Sequence, residues 1–220
     1  MSGETAQTAL CVFAKEPIEG EVKTRLAATL GTVNATRLAQ AFLTDTLELA
    51  VRLRSTKVIL AWSGDRARAP SIDGRVEVWP QGDGDLGQRL ERTLSRALTR
   101  HAATIAIGTD CPHLPVGLLE QGVTALRAHD AVLGPADDGG FYLLGLRQCP
   151  PGLLHDLRWS ASDTGAQTLA RLSDRGLRVT QLAPCFDIDT EADLARLRAM
   201  IMRGEVSAPA TERTVLELTA

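Results

Sequence analysis

The alternation of short apolar runs with helical periodicities is the feature of this sequence that most restricts its fold. Strand-like apolar runs lie at residues 10–14, 57–62, 76–79, 104–108, 131–134 and 142–146. Between most of them, apolar residues recur at helical spacing, over residues 34–53, 86–98, 115–127 and 162–175. Strands that alternate with helices predict a mainly parallel sheet with helices on both faces, and therefore an α/β fold.

After residue 146 this rhythm changes. The Pro150-Pro151-Gly152 segment breaks the chain, and a short apolar run follows at residues 177–182. Thr190-Glu-Ala-Asp193 resembles a capping box that begins a last helix, ending near residue 202. From Glu205 onward the chain is rich in Thr, Glu, Ala and Ser. We predict a single domain over residues 1–204 and a loose tail over residues 205–220.

Composition excludes several classes of partner. The net charge of -3 over 220 residues gives no general attraction to nucleic acid or to anionic membranes. The first apolar run is too short for a membrane span or a signal peptide, and no basic segment precedes it. The four cysteines are widely spaced, as in neither a zinc site nor a disulfide framework. We expect a cytoplasmic protein, whose anion site must be local.

A basic loop broken by glycine and proline, residues 13–25, comes directly after the first apolar run. A loop that leaves the carboxyl end of a strand is where open α/β sheets bind nucleotides. The alternative is a solvated surface loop. The candidate phosphate contacts in this loop are Ala14, Lys15, Gly20, Lys23 and Arg25.

Two glycine motifs resemble nucleotide-binding loops. The end of a P-loop is imitated at residues 20–24, but Lys15 stands where its first glycine is required, which argues against a Walker-type NTPase. A literal G-x-G-x-x-G spans residues 82–87. It follows the third strand, and its two aspartates would repel a pyrophosphate, so a dinucleotide fold is disfavoured. We expect Gly82 and Gly87 to form a flexible turn that contacts a nucleotide or its phosphates, with a plain structural loop as the alternative.

Three aspartates are candidates for a metal site. Asp110 follows the apolar run at residues 104–108, where a carboxylate can hold a hard divalent cation that bridges phosphates. Asp187 and Asp189 are two residues apart, so they project the same way from an extended segment. The alternatives are that Asp110 caps a turn and that Asp189 caps the last helix.

A third acidic segment, residues 137–140, joins two carboxylates to two glycines between predicted strands. Such a connection lets the backbone approach a ligand, although a hairpin turn explains it equally. Asp137 and Asp138 are candidate general bases, and the strand after Gly140 is expected to be an exposed edge that could pair in a homodimer. Trp159 could stack on a substrate, or simply pack. The candidate substrate or acceptor contacts are Asp137, Gly139, Gly140, Tyr142, Trp159 and Ser160.

Six motifs follow one another along the chain. They are Phe13-Ala-Lys-x-Pro-x-x-Gly-x-x-Lys-Thr-Arg-Leu26, Asp85-Leu-Gly-x-Arg89, Gly108-x-Asp-Cys-Pro112, Gly134-Pro-Ala-x-Asp-Gly-Gly-x-Tyr-Leu-Leu-Gly145, Trp159-Ser160 and Asp187-x-Asp-Thr190. In this order they resemble the glycosyltransferase-like family once called DUF2064, which is itself similar to the guanylyltransferases of coenzyme F420 biosynthesis. The resemblance runs from about residue 10 to residue 197.

This resemblance implies a three-layer α/β/α fold of the nucleotide-diphospho-sugar transferase (GT-A) type, with a mostly parallel, mixed sheet of seven strands. It also implies a divalent metal, Mg²⁺ or Mn²⁺. Carried over, Lys15, Lys23 and Arg25 would face phosphates, while Asp110 would hold the metal with Asp187 or Asp189. Phe141 stands where the family commonly has Tyr, which removes one hydroxyl.

Two enzyme classes fit these residues. A glycosyltransferase would transfer the sugar of an NDP-sugar to a small-molecule acceptor, and the family resemblance favours it. A nucleotidyltransferase would release pyrophosphate from an NTP, and three cations in the first loop favour it. A non-catalytic nucleotide-binding protein is the third possibility. The candidate catalytic residues are Lys23, Asp110 and Asp138.

Overall fold

The computed structural model describes residues 8–54, 56–72 and 74–218, and seven strands of this part form one sheet. The order across the sheet is β3-β2-β1-β4-β6-β5-β7. The strands are β1 (Thr8–Lys15), β2 (Thr56–Ser63), β3 (Val76–Pro80), β4 (Ala103–Ile107), β5 (Ala131–Pro135), β6 (Phe141–Leu146) and β7 (Val179–Gln181).

The sheet is mixed, as the family resemblance implies, and mostly parallel. β1 pairs in parallel with β2 and β4, β2 with β3, and β5 with β7. Among the described strands only β6 runs the other way, antiparallel to both β4 and β5. The carboxyl end of β4 and the amino end of β6 therefore meet at the same edge, where Ile107 is paired with Leu143.

In the part of the chain that the structure describes, seven α-helices accompany the strands, and the five predicted from sequence are confirmed within a few residues. They are α1 (Thr24–Leu30), α2 (Thr32–Arg52), α3 (Leu86–Leu98), α4 (Val116–Ala125), α5 (Thr164–Asp174), α6 (Glu191–Met202) and α7 (Pro209–Glu217). The capping box predicted for α6 is present: the Thr190 hydroxyl accepts the backbone N–H of Asp193, whose carboxylate accepts the N–H of Thr190. α1 and α7 were not predicted.

Two apolar layers cover the sheet, because successive side chains of a strand point to opposite faces. Leu10 and Val12 of β1 pack in the layer that includes α2 and α4. Ala9 and Cys11 pack in the layer that includes α3 and α5. All four are fully buried, so β1 lies in the middle layer of a three-layer α/β/α arrangement.

The strand after Gly140 was expected to be an exposed edge, and this prediction is wrong. That strand is β6, which pairs along both sides, with β4 and with β5. The pairing of β6 with β4 joins segments that are distant in sequence, so the local pattern does not reveal it. The edge strands of the described sheet are β3 and β7. Because both sides of β6 are already paired, a homodimer formed through this strand is no longer expected.

The segment expected to be a loose tail contains α7, which packs on α2 through a separate apolar cluster that also includes α1 and α6. Val215 of α7 is fully buried in that cluster. The buried carboxylate of Asp45 accepts the backbone N–H groups of Ala210 and Thr211, at 3.1 and 2.7 Å, and so caps the first turn of α7. That residues 1–204 form a single domain by themselves stays a prediction.

No helix in the described residues is both long enough and apolar enough to cross a lipid bilayer.

Candidate functional site

The candidate site lies at the edge of the sheet where β1 and β4 end and β6 begins. A cavity of about 440 Å³ opens there, between the first loop, the start of α1 and the residues after β4. Of the predicted phosphate contacts in the first loop, four line it: Ala14, Lys15, Lys23 and Arg25. Gly20 lies in a turn of the same loop, with a φ of 80°, but is not part of the lining.

Lys23 links the first loop to the acidic segments. Its side chain is only 7% exposed, and its ammonium contacts the carboxylates of Asp110 and, at 2.8 Å, Asp189. It also donates a hydrogen bond to the carbonyl oxygen of Ile188 at 2.7 Å. Burial alone would lower the pKa of Lys23, but the attraction and hydrogen bonds of the two carboxylates raise it above its ordinary value. Lys23 is therefore a buried, charged ammonium.

The backbone holds Asp110 and Asp189 together. The N–H of Ile188 donates to the carbonyl oxygen of Asp110 at 2.9 Å, which fixes residues 187–189 beside the end of β4. Lys23 itself has a φ of 47°, in the left-handed region, at the residue before α1. This unusual conformation accompanies the inward position of its ammonium.

Asp187 faces the same region of negative charge. Burial, and to a smaller extent the charges of Asp110, Asp138 and Asp189, raise its pKa to about 6 against the opposing effect of a hydrogen bond from the Cys111 thiol. The Cys111 sulfur donates to Oδ1 of Asp187 at 2.8 Å. The pKa of Cys111 is itself raised well above its ordinary value, through a hydrogen bond with Cys185 and through burial. Cys111 therefore acts as a neutral thiol donor.

The carboxylates of Asp110, Asp187 and Asp189 have donor atoms that suit a divalent cation, but their present positions do not form a complete metal site. Their oxygens are the hard donors that Mg²⁺ and Mn²⁺ prefer, and their mutual repulsion would be relieved by a cation. Across residues 8–54, 56–72 and 74–218, however, no three His, Cys, Asp or Glu side chains are grouped so that they could hold a metal ion. The ammonium of Lys23 stands between Asp110 and Asp189, and Asp187 is bound to Cys111. Asp110 and Asp189 are the two carboxylates that contact the same positive group, the ammonium of Lys23, in the structure.

A second cavity of about 280 Å³ adjoins the first, and Asp110 and Asp189 line both. Of the predicted acceptor contacts, four line the second cavity: Gly140, Tyr142, Trp159 and Ser160. The rings of Phe141 and Trp159 meet edge to face, with their centroids 6.0 Å apart. Tyr142 is buried and donates its hydroxyl to the carbonyl oxygen of Ala183 at 3.0 Å.

The two aspartates of the 137–140 turn have different positions. Asp138 lines the second cavity, and its Oδ1 accepts the N–H of Gly140 at 2.8 Å. Asp137 forms an exposed ion pair with Arg196 at 2.8 Å and lies outside the lining. Gly139 also lies outside it and has a structural reason to be glycine, because its φ is 89° and an added Cβ would lie 1.9 Å from the Ser162 carbonyl oxygen.

Gly82 and Gly87 are outside the linings of both cavities. Packing accounts for Gly87, since a Cβ there would lie 2.1 Å from the carbonyl oxygen of Leu154. Asp85 caps α3, and its carboxylate accepts the N–H of Gln88 at 2.9 Å. A contact of Gly82 or Gly87 with phosphate stays a prediction.

The lining residues that sequence reasoning missed include Gln81, Phe13 and Leu86. Gln81 is buried and donates from Nε2 to the carbonyl oxygens of Ala14 and Ala61, at 3.1 and 2.9 Å. It thus ties the ends of β1 and β2 together beneath the first cavity. Phe13 and Leu86 line both cavities. A polar Gln directly after a strand was the one available signal, whereas nothing local distinguishes Phe13 or Leu86 from core residues.

Residues 46–161, just over half of the chain, match the family described as "Uncharacterized protein conserved in bacteria (DUF2064)". Among curated proteins, none has significant sequence similarity to the chain.

Solved structures show the same fold. A protein of Desulfovibrio desulfuricans G20, provisionally named a nucleotide-diphospho-sugar transferase, superposes with a TM-score of 0.86 at 28% identity, over 97% of this chain and 96% of that one. A 4-diphosphocytidyl-2C-methyl-D-erythritol synthase of Anaerococcus prevotii gives 0.60 at 14% identity, over 91% and 100%. The manganese complex of Rv0371c from Mycobacterium tuberculosis H37Rv gives 0.51 at 20% identity, over 87% and 97%. The last two likenesses concern the fold alone. The seven-stranded sheet is thus that of the nucleotide-diphospho-sugar transferases and nucleotidyltransferases.

Proposed function

We propose that this chain, which belongs to the DUF2064 family, is a metal-dependent transferase that moves a sugar from an NDP-sugar to a small-molecule acceptor. One observation carries the proposal: two cavities of different chemistry meet at Asp110 and Asp189. A transferase needs two substrates whose reacting atoms meet at one point, and this junction provides such a point. The likeness to the Desulfovibrio protein supports the choice of donor.

The first cavity would bind the nucleotide diphosphate. Lys15, Lys23 and Arg25 line this cavity, where their charges would attract phosphate oxygens. Lys15 is half exposed and paired with Glu21 at 2.8 Å, so it can exchange that partner for a phosphate at little cost. Negative charge accumulates on the diphosphate as it departs, and cations beside it stabilise that charge.

Asp110 and Asp189 would hold the divalent cation, with Asp187 close by. The manganese complex of the Rv0371c structure, which has the same fold, supports a metal of this kind. A bound Mg²⁺ or Mn²⁺ would supply positive charge that stabilises the departing diphosphate. Lys23 would then move from the two carboxylates toward the phosphates.

Asp138 is our candidate for the general base. It lines the second cavity, whereas Asp137 is paired with Arg196 outside it. The N–H of Gly140 holds its Oδ1, which fixes the carboxylate at the cavity wall. From there it would accept the proton of the acceptor hydroxyl that attacks the anomeric carbon.

A nucleotidyltransferase is the second candidate, because three cations in one loop also suit the triphosphate of an NTP. The cytidylyltransferase-type fold of the Anaerococcus synthase is compatible with it. In that reaction an acceptor attacks the α-phosphate and pyrophosphate leaves.

The test incubates the protein and Mn²⁺ with panels of NDP-sugars or NTPs and a mixture of acceptors. Release of a nucleoside diphosphate from a sugar donor supports the proposal, and release of pyrophosphate from a triphosphate favours the second candidate. Neither product, together with thermal stabilisation by a nucleotide, would instead indicate a non-catalytic binding protein.

Asp110→Asn should abolish the product and so identify the site. The matched control is Asp174→Asn, at the end of α5, whose exposed side chain lies outside both cavity linings. Turnover by the Asp110 variant at the rate of the control would refute the role of Asp110.

A further inference from the structure

The second cavity differs sharply from the first in charge. Its described lining contains no Lys, Arg or His, but four aspartates. They are Asp110, Asp138, Asp187 and Asp189. Three nearby cations are engaged outside this lining: Lys23 with Asp110 and Asp189, Arg196 with Asp137, and Arg158 with Asp163. A phosphate group entering this cavity would still meet the carboxylates of Asp138 and Asp187, and it would have no side-chain cation of the lining to bind.

Aromatic rings and aliphatic side chains form much of the rest of the wall. Phe13 comes from β1, Phe141 from the start of β6, and Trp159 from the loop before α5. The edge-to-face pair of Phe141 and Trp159 presents a firm aromatic surface, and Leu86 and Leu90 of α3 extend it. Because Tyr142 has already donated its hydroxyl to Ala183, it adds ring surface more than a free donor. Such walls bind rings and hydrocarbon faces through area and stacking.

We propose that the acceptor is an uncharged or cationic compound that carries a hydroxyl group and an apolar ring or hydrocarbon face, and that phosphorylated acceptors are rejected. This inference rests on the proposed function, because it names the acceptor of the same transfer. The apolar face lies on the aromatic wall, and the hydroxyl points toward the junction of the two cavities. Asp138, our candidate for the general base, is the carboxylate that would accept the proton of that hydroxyl.

The transfer balances as a substitution. The acceptor oxygen forms a bond to the anomeric carbon of the NDP-sugar, while the bond from that carbon to the phosphate oxygen breaks. The electron pair of the broken bond stays with the diphosphate, and the hydroxyl proton goes to Asp138. No oxidant or further reactant is required.

The same charge pattern separates the two candidate reactions. Where the nucleophile of a nucleotidyl transfer is itself a phosphate, the acceptor cavity must receive a dianion. The charged side chains of the described lining are all carboxylates, which would repel that dianion. Only a metal at the junction of the two cavities would attract it. An acceptor that attacks through a hydroxyl needs no such cation.

The experiment compares p-nitrophenyl β-D-glucopyranoside with its 6-phosphate, which differs only by the charged group. Binding of each is measured by calorimetry with the wild-type protein, Mn²⁺ and a nucleoside diphosphate. We expect the neutral probe to bind at least tenfold more tightly, and this ratio to shrink at high salt because the repulsion is screened. Equal or tighter binding of the 6-phosphate overturns the inference, and so does binding of neither probe.

Two variants test which side chains are responsible. Trp159→Ala should weaken the neutral probe at least tenfold while leaving the affinity for the nucleoside diphosphate within twofold, since Trp159 lines only the second cavity. Asp138→Lys should invert the preference toward the 6-phosphate. Unchanged probe binding in both variants, with folding verified by circular dichroism, overturns the inference.

This design separates the two proposals. Selective binding of the neutral probe, with no nucleoside diphosphate released from any sugar donor, would keep the acceptor class and reject the sugar transfer. Release of nucleoside diphosphate only with phosphorylated acceptors would keep the sugar transfer and reject the acceptor class.

Discussion

The buried ammonium of Lys23 gives the sharpest test of the site. Its side chain is 7% exposed, whereas Asp110 and Asp189, its two partners, are 49% and 41% exposed. Lys23→Met removes the charge and keeps most of the aliphatic stem. The change also removes the hydrogen bond to the Ile188 carbonyl oxygen.

The magnitude follows from the unequal burial of the partners. Removing one member of a fully buried pair costs about 3–5 kcal/mol, because the other charge is left without solvent. An exposed pair contributes only about 0–1 kcal/mol. Water can reach the two carboxylates that remain here, so we expect an intermediate loss of about 1–3 kcal/mol in the free energy of unfolding.

The assay is urea unfolding without divalent metal, with the free energy obtained by linear extrapolation. Lys15→Met is the matched control, since Lys15 lies in the same loop and its pair with Glu21 is about half exposed on both sides. The control should lose no more than about 1 kcal/mol. An equal loss in the two variants would refute the argument from burial.

The pH dependence gives a second measurement of the same contact. The pKa of Lys23 is raised in the folded protein, so the stabilisation is fully present below its ordinary value of 10.5. It is lost as the pH rises through the folded value. The difference between wild type and Lys23→Met should therefore be constant from pH 7 to about pH 10 and decline above that range.

Three further substitutions test other parts of the structure. Asp187→Asn should raise the free energy of unfolding of the metal-free protein at pH 8 by up to about 3 kcal/mol. The reason is that folding raises the pKa of the Asp187 carboxyl from 3.8 to about 6, and each pKa unit corresponds to about 1.4 kcal/mol. The penalty develops as the pH rises between those values, so the gain in melting temperature should vanish near pH 4, and a gain that persists there would contradict the assignment. Asp45→Ala should cost about 1–3 kcal/mol in urea unfolding by removing the cap of α7, and no loss would show that α7 docks without it. Gly139→Ala should destabilise more than Gly176→Ala, because both glycines have positive φ but only the first would bring a Cβ against the Ser162 carbonyl oxygen; equal melting temperatures would contradict that steric argument.

The local patterns were sufficient for most of the secondary structure. The five helices with clear periodicity appear near their predicted bounds, and α3 has the bounds expected from its apolar spacing, residues 86–98. The capping box at Thr190 and Asp193 was predicted because all its groups are adjacent in sequence. α1 was missed because it is short and directly follows a loop rich in charged residues and broken by glycine and proline.

Errors arose where a distant contact decides the structure. Residues 205–220 were expected to be a loose tail, but they contain α7, and the cap of this helix comes from Asp45, which lies 165 residues earlier than Ala210. β6 was expected at an edge, but β4 and β5 both pair with it. Neither partner leaves a trace in the local sequence.

The candidate site shows the same division. The sequence alone indicated that Lys23 follows a strand, that Asp110 follows another, and that Asp187 and Asp189 share a face, because each of these depends on a short segment. Only the tertiary structure decided that the Lys23 ammonium contacts Asp110 and Asp189, and that Asp137 is drawn away to Arg196. Parallel pairing of β1 with β4 brings residues about 90 positions apart to one sheet edge. The physical reason is that charge pairing and burial depend on distance in space, which the periodicity of a single segment does not encode.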